Sequence, residues 1–300
     1  MGNGSEMDHR GSLNFDALAY DRLAGPQLRA ADPSPAPGVG AIVCLTRGYR
    51  DVRQYAPLIA RNRSIYDSIN RFRSDEYPLV IWHEGNVTEA HQRHILASDP
   101  NSDVRFVDVS VLFRLSGDSS ISDLMEDWQI GYRLMCRFHI YHIWQCCRQF
   151  QYVMRIDEDC VVCSTEIDPI EWTSRQRSDF AAAAFVAETH ELTNRTLPGF
   201  VAQYLGLLHP DRSFAGIYNH CFPYTNLYVT RTAFWLGVDV QRFLYAIIRE
   251  PASIRFRWGD LPVLGVALNI FAREDSIAVL PKLVYRHGSH DVTVASASAC

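Results

Sequence analysis

From residue 40 onward the apolar positions follow two rhythms in turn: short continuous runs, and longer stretches spaced three to four apart. The run AIVCL (41–45) predicts a buried strand by its length and branched content. Tyr55, Leu58, Ile59, Asn62, Tyr66, Ile69 and Phe72 then keep helical spacing, with Asn62 breaking an otherwise apolar stripe. PLVIWHE (78–84) predicts a second strand, VTEAHQRHILA a helix and VRFVDVS (104–110) a third strand. Residues 128–149 predict a long helix, and QYVMRID a fourth strand. Such alternation over short connections implies an α/β fold with a mostly parallel sheet covered on both faces. Residues 1–38 lack either rhythm and are rich in Gly, Pro, Ala and Ser, so they predict a disordered tail ahead of one domain over 39–295.

The fourth strand ends in an unusual way. QYVMRIDEDC (151–160) passes from apolar residues into Asp157, Glu158 and Asp159. Ligands of open parallel sheets bind beyond the carboxyl ends of the strands, where these acids stand. Carboxylates crowded there repel one another unless a cation sits among them. Asp-x-Asp supplies hard oxygen ligands, which suit Mg²⁺ or Mn²⁺ bridging to a diphosphate. A solvated acidic turn is the competing reading, and the triplet alone does not decide between them.

Composition narrows the function classes. With 47% hydrophobic residues the chain can bury a full core, and a net charge of −5 supplies no general basic field for nucleic acid. No stretch approaches the roughly 20 apolar residues of a membrane span, and no signal-peptide core follows Met1. Eight cysteines are too few for a disulfide scaffold. Cys160-Val-Val-Cys163 has no second pair, which argues against a structural zinc site. Asn3, Asn62, Asn86 and Asn194 begin glycosylation triplets and lean towards a secretory-pathway lumen.

Four blocks in order carry a family likeness. They are IGYRLMCRFHIYHIWQCCRQFQYVMRIDED (130–159), YNHCFPYTNLYVTRTAFW (218–235), FRWGDLPVLGVALNIF (256–271) and LVYRHGSH (283–290). Together they resemble the fungal Golgi α-1,2-mannosyltransferases, the glycolipid and glycoprotein 2-α-mannosyltransferases. The resemblance implies a GT-A type fold, a Rossmann-like nucleotide-binding half fused to an acceptor-binding half. It implies transfer of a hexose, mannose from GDP-mannose, to a glycan acceptor with retention, using Mn²⁺ or Mg²⁺, in the Golgi. Carried onto this chain, it makes Asp157, Asp159 and His287 the metal ligands. Arg155, Tyr132 and Arg133 fall on the donor side, and Asp260 faces donor and acceptor sugars.

Each position also has a local role open to it. His287 fits a surface histidine after a strand, and Asp260 fits a helix N-cap ahead of Leu261-Pro262. Trp258 reads as packing, as does the Cys136, Ile140, Ile143, Cys147 stripe. Arg133 and Arg137 share a helix face and suit either phosphate or carboxylates such as Glu126 and Asp127. The chain departs from the family where Ser-Asn-Phe-Glu becomes Thr225-Asn226-Leu227-Tyr228. Tyr228 stands in the place of the family's candidate nucleophile, and a phenol is a poor substitute for a carboxylate at neutral pH. The substitution leaves a second reading open, an inactive protein of the same fold that binds a nucleotide sugar or glycan. A metal-dependent phosphohydrolase would use the same acids but leaves the three later blocks unexplained.

Overall fold

The computed structural model describes residues 40–113, 130–211, 214, 216–288 and the backbone of 292–295. The predicted tail (1–38) and Glu126 and Asp127 lie outside the described residues, as does Asn3. The strands are β1 (Gly40–Thr46), β2 (Leu79–His83), β3 (Val104–Asp108), β4 (Tyr152–Ile156), β5 (Cys160–Thr165) and β6 (Phe180–Ala182). They continue with β7 (Phe185–Ala187), β8 (Cys221–Pro223), β9 (Leu227–Arg231), β10 (Ile277–Val279), β11 (Leu283–His287) and β12 (Val292–Ala295).

Seven of them form the main sheet in the order β10-β6-β9-β4-β1-β2-β3. Its pairings are parallel except where β9 runs against β4 and β6. The chain builds outward from β1 through β2 to β3, then crosses back to lay β4 on the other side of β1. The carboxyl ends of β1 and β4 therefore flank a topological switch point, the crevice where open sheets take their ligands. The predicted α/β class and mostly parallel sheet are found.

Alternation along the central strands sorts side chains between two cores. Ala41, Val43, Val153 and Tyr228 face one core, covered in part by the helices Glu191–Leu208, Val238–Arg249 and Asp260–Phe271. Ile42, Met154, Ile156 and Leu227 face the other, which includes Ile65 of the helix Ala56–Ser68 and Cys160, Val162 and Tyr285 of a second sheet, β12-β11-β5. Gly265 lets the helix Asp260–Phe271 lie against β8, since a Cβ there would come within 2.2 Å of the Phe222 ring.

Asn62, the polar break in the first helix stripe, is fully buried and accepts from the buried Arg61 guanidinium at 2.8 Å. Arg61 Nε in turn donates to the Ile156 carbonyl at 3.1 Å, securing the last residue of β4. Of the three described glycosylation triplets, only Asn86 is exposed; Asn62 is buried, and Asn194 donates to the Glu188 carbonyl at 2.9 Å. The long helix predicted over 128–149 is interrupted. Ile130–Arg137 is α-helical, Phe138–His142 forms a π turn, and Ile143–Cys146 resumes the α-helix.

The π turn carries two histidines with depressed pKa values, His139 buried and His142 half-buried. Burial pushes His139 well below its ordinary 6.5, and burial with the nearby Arg137 charge pushes His142 down to about 4. The unfolded chain takes up these protons as pH falls through 6.5, while the folded chain refuses them. Stability is therefore expected to fall as pH drops from about 6.5 towards about 4.5. Burial raises the Asp157 and Glu158 carboxyls and so works in the opposite direction. Urea midpoints across that range should decline in the wild type and flatten in a His139→Gln, His142→Gln double variant.

Candidate active site

The acidic triplet forms a tight turn between two sheets. The Cys160 amide donates to the Asp157 carbonyl at 3.1 Å, and the Asp157 amide donates to the Asn226 carbonyl at 2.9 Å. β4 thus ends in the main sheet, and after three intervening residues β5 opens the second one. The turn sends the three acids to three different partners.

Glu158 turns towards β1. It accepts from the Thr46 hydroxyl and, at 2.8 Å, from the Tyr49 phenol, with Arg47 Nε 3.9 Å away. This ties the turn to the carboxyl end of β1 across the switch point. Asp157 turns towards Arg155, whose Nη2 donates to its Oδ1 at 2.9 Å. Asp159 turns towards His287, with Nε2 to Oδ1 at 3.4 Å.

His287 closes β11 and is only 6% exposed, so the surface-histidine alternative does not hold. Its Nδ1 lies 3.1 Å from the Asn226 amide nitrogen and 3.2 Å from the Tyr224 hydroxyl. Asn226 is itself held by the Tyr285 hydroxyl, which donates to its Oδ1 at 2.7 Å. One ring nitrogen is thus fixed by partners while the other faces a carboxylate, the arrangement that orients a metal-binding imidazole. Asp159, Cys160 and His287 offer an oxygen, a sulfur and a nitrogen within 4.8 Å of one another. Asp157 lies outside that group, its Oδ1 taken by Arg155, so the expected set of two aspartates and a histidine is not gathered as one cluster.

Arg155 is the hub of the neighbouring network. It is 3% exposed, and its Nη1 donates to Asp260 Oδ2 at 2.5 Å while Nη2 holds Asp157. Burial pushes the Asp260 carboxyl up, but the Arg155 guanidinium, helped by His139 and a Thr225 hydrogen bond, leaves Asp260 below the usual carboxylate range. The N-cap of that helix is Gly259, and Asp260 is its first helical residue. The Asp260 side chain therefore serves Arg155 and not the helix amides, which corrects the capping alternative. Arg155, expected on the donor diphosphate, is enclosed by carboxylates and positions them.

Tyr228 pairs in register with Arg155 across β9 and β4, so both rise from the same face of the sheet. The residue is fully buried, its ring stacks on Phe180 at 4.7 Å, and the Arg155 Cζ lies 5.9 Å from the ring centroid. Burial pushes its phenol well above the ordinary value, so phenolate is not available at neutral pH.

Arg133 departs from expectation. Only 4% exposed, it donates to the carbonyls of Ile254 and Arg255, satisfying the end of the short helix Pro251–Arg255. This backbone duty gives it a structural role at the end of that helix. Tyr132 takes an Arg257 Nη2 donor at 3.5 Å, and the charges of Cys136, burial and Asp260 all push its phenol up, which sets it on the Asp260 side. Trp258 packs on Phe200 and donates to Thr196 at 2.9 Å, as a core residue does. Cys160 is buried and Cys163 exposed, as expected of strand residues three apart, so they share no site. Asn226 and Tyr224 were not singled out from the sequence. Their signal was the polar Thr225-Asn226 pair opening a buried strand inside the second block.

The family model described as glycolipid 2-alpha-mannosyltransferase matches residues 62–297. The O-glycoside alpha-1,2-mannosyltransferase omh1 of Schizosaccharomyces pombe is 24% identical over 170 residues, 52% of this chain and 44% of that protein. The O-glycoside alpha-1,2-mannosyltransferase homolog 2 of the same yeast is 22% identical over 263 residues, covering 76% of this chain and 70% of that one. The match thus spans less than half the length of omh1 and about two thirds of homolog 2. Among solved structures, the mannosyltransferase Ktr4p of S. cerevisiae superposes with a TM-score of 0.71 at 18% identity, over 92% of this chain and 81% of that one. Core-mannan synthase A (CmsA/Ktr4) of Aspergillus fumigatus, solved in its Mn/GDP form, gives 0.67 at 17% identity, over 85% and 76%. These superpositions confirm the fold.

Proposed function

Because the chain belongs to the glycolipid 2-alpha-mannosyltransferase family, we propose that it transfers a mannosyl group from GDP-mannose to a glycan acceptor, with retention, and depends on a divalent cation. The observation that carries this reading is the Asp159–His287 pair at 3.4 Å, at the carboxyl edge of β4 beside the switch point. A carboxylate and an oriented imidazole fit Mn²⁺, and core-mannan synthase A was solved with Mn and GDP. Asp159 and His287 would hold the ion, with Asp157 beside them. Bound there, a divalent cation neutralises charge on the departing diphosphate.

The protein's own residues supply the rest. Glu158 locks the turn to β1 through Thr46 and Tyr49, so the acids meet a donor in fixed positions. Arg155 holds Asp260 and Asp157 together and favours the ionised form of Asp260 against the cost of burial. Tyr228 supplies no nucleophile, since it is enclosed and protonated. Transfer then relies on stabilising the leaving group, with the acceptor entering from the face it vacates. No helix among the described residues is long and apolar enough to cross a membrane. The disulfide at Cys221 and the family's Golgi character support residence in the secretory lumen.

A panel of nucleotide sugars tests the reading. GDP-mannose with Mn²⁺ should raise the melting temperature, and neither alone should match it. NMR of the product should show a mannoside of unchanged anomeric configuration. Tyr228→Phe should retain transfer within about threefold, because the phenol has no chemical role here. Preference for a different nucleotide, or loss of transfer by several orders of magnitude in Tyr228→Phe with donor affinity intact, would overturn it.

A further inference from the structure

We propose that Cys160 is a third metal ligand beside Asp159 and His287, giving this chain a mixed oxygen, sulfur and nitrogen site that takes a thiophilic divalent cation such as Zn²⁺ more tightly than Mn²⁺. The inference rests on the reading of Asp159 and His287 as cation ligands. It adds a residue that the resemblance did not assign and changes which ion the site prefers.

The geometry comes from strand register. Cys160 opens β5 and His287 closes β11, and the two are direct partners across the antiparallel pair. Directly opposed residues send their side chains to the same face with Cβ atoms about 4.5–5.5 Å apart. Both are buried, at 0% and 6% exposure, while Asp159 enters from the turn one residue before Cys160. The three donor atoms lie within 4.8 Å of one another. Metal–ligand bonds of about 2.0–2.3 Å at tetrahedral angles put ligand atoms roughly 3.4–3.8 Å apart, so a modest contraction closes the site. The Nε2–Oδ1 distance of 3.4 Å already has that value. The sulfur is now near the Asn226 carbonyl, at 4.0 Å, a weak contact that a metal bond readily replaces. On binding, the thiol proton leaves to solvent and the sulfur coordinates as thiolate. Thiolate is a soft ligand, and it shifts preference from Mn²⁺ towards Zn²⁺ and Co²⁺.

A sulfur that served only as packing would behave otherwise, and valine separates the two roles. Cys160→Val keeps a buried, strand-favouring side chain and removes only the sulfur. Co²⁺ is titrated into the full chain and followed by near-ultraviolet absorption, where thiolate-to-cobalt charge transfer is seen, and Zn²⁺ and Mn²⁺ affinities are measured by calorimetry. The charge-transfer band is expected in the wild type and in Cys163→Ser, and should be absent in Cys160→Val. Zn²⁺ affinity should fall about tenfold or more in Cys160→Val, with Mn²⁺ affinity within about threefold. No band in the wild type, or equal Zn²⁺ affinity in wild type and Cys160→Val, overturns the proposal. If Mn²⁺ binding is then still lost in Asp159→Asn, the underlying metal reading stands. If Asp159→Asn leaves every cation bound as before, that reading fails as well.

Discussion

Asp159→Asn is expected to abolish cation-dependent nucleotide binding while leaving the apo fold intact. The change keeps the size of the side chain and removes the charge that a divalent ion needs. Asp159 is partly solvent-exposed, and Asn keeps an oxygen and a nitrogen that can still meet His287, which lies 3.4 Å away, so the apo fold tolerates the change. It also shares its turn with Asp157 and Glu158, both pushed up by burial, and losing one like charge relieves repulsion. The apo melting temperature should hold or rise slightly, and affinity for GDP with Mn²⁺ should drop about a hundredfold or more. Calorimetric titration of GDP with and without the ion reads the effect, and unchanged affinity would remove Asp159 from the metal site.

Arg155→Met should have the largest effect on stability. It leaves Asp260, at 6% exposure, without the guanidinium that holds its charge, and frees Asp157 as well. Breaking a buried ion pair by removing one partner costs about 3–5 kcal/mol, more than the pair itself contributes. In a chain of this size that lowers the melting temperature by about 10 °C. Adding Asp260→Asn should recover much of the loss, because the uncompensated carboxylate is then gone. A single variant that melts within a degree or two of wild type would mean the network carries no such coupling.

The alternating architecture was legible because strand and helix periods differ sharply in the central segments. β1, β2, β3 and β4 fall within one or two residues of the runs that predicted them. The antiparallel β9 and the second sheet were not legible, since they depend on pairing between segments distant in sequence, which a local period does not encode. The π turn at Phe138–His142 was hidden for a similar reason: its residues keep an apolar stripe that suits an unbroken helix equally well.

The site was legible in part. The acids at the end of β4 and His287 came from the triplet and the four ordered blocks. Which acid meets which partner was decided by a turn of three residues, and no spacing rule assigns Asp157 to Arg155 or Glu158 to Tyr49. The backbone role of Arg133 was not legible, because a charged residue in a helix motif does not announce that it serves the carbonyls of Ile254 and Arg255. Cys160 was passed over as half of a CxxC pair, although its partner lay across the sheet at His287.

Crystals grown with Mn²⁺ and GDP, measured for anomalous scattering at the manganese edge, test the metal assignment most directly. The account predicts one strong peak within about 2.5 Å of both an Asp159 carboxylate oxygen and His287 Nε2, touching the diphosphate. GDP bound in the crevice with no manganese at Asp159 and His287, or manganese held elsewhere, would contradict it.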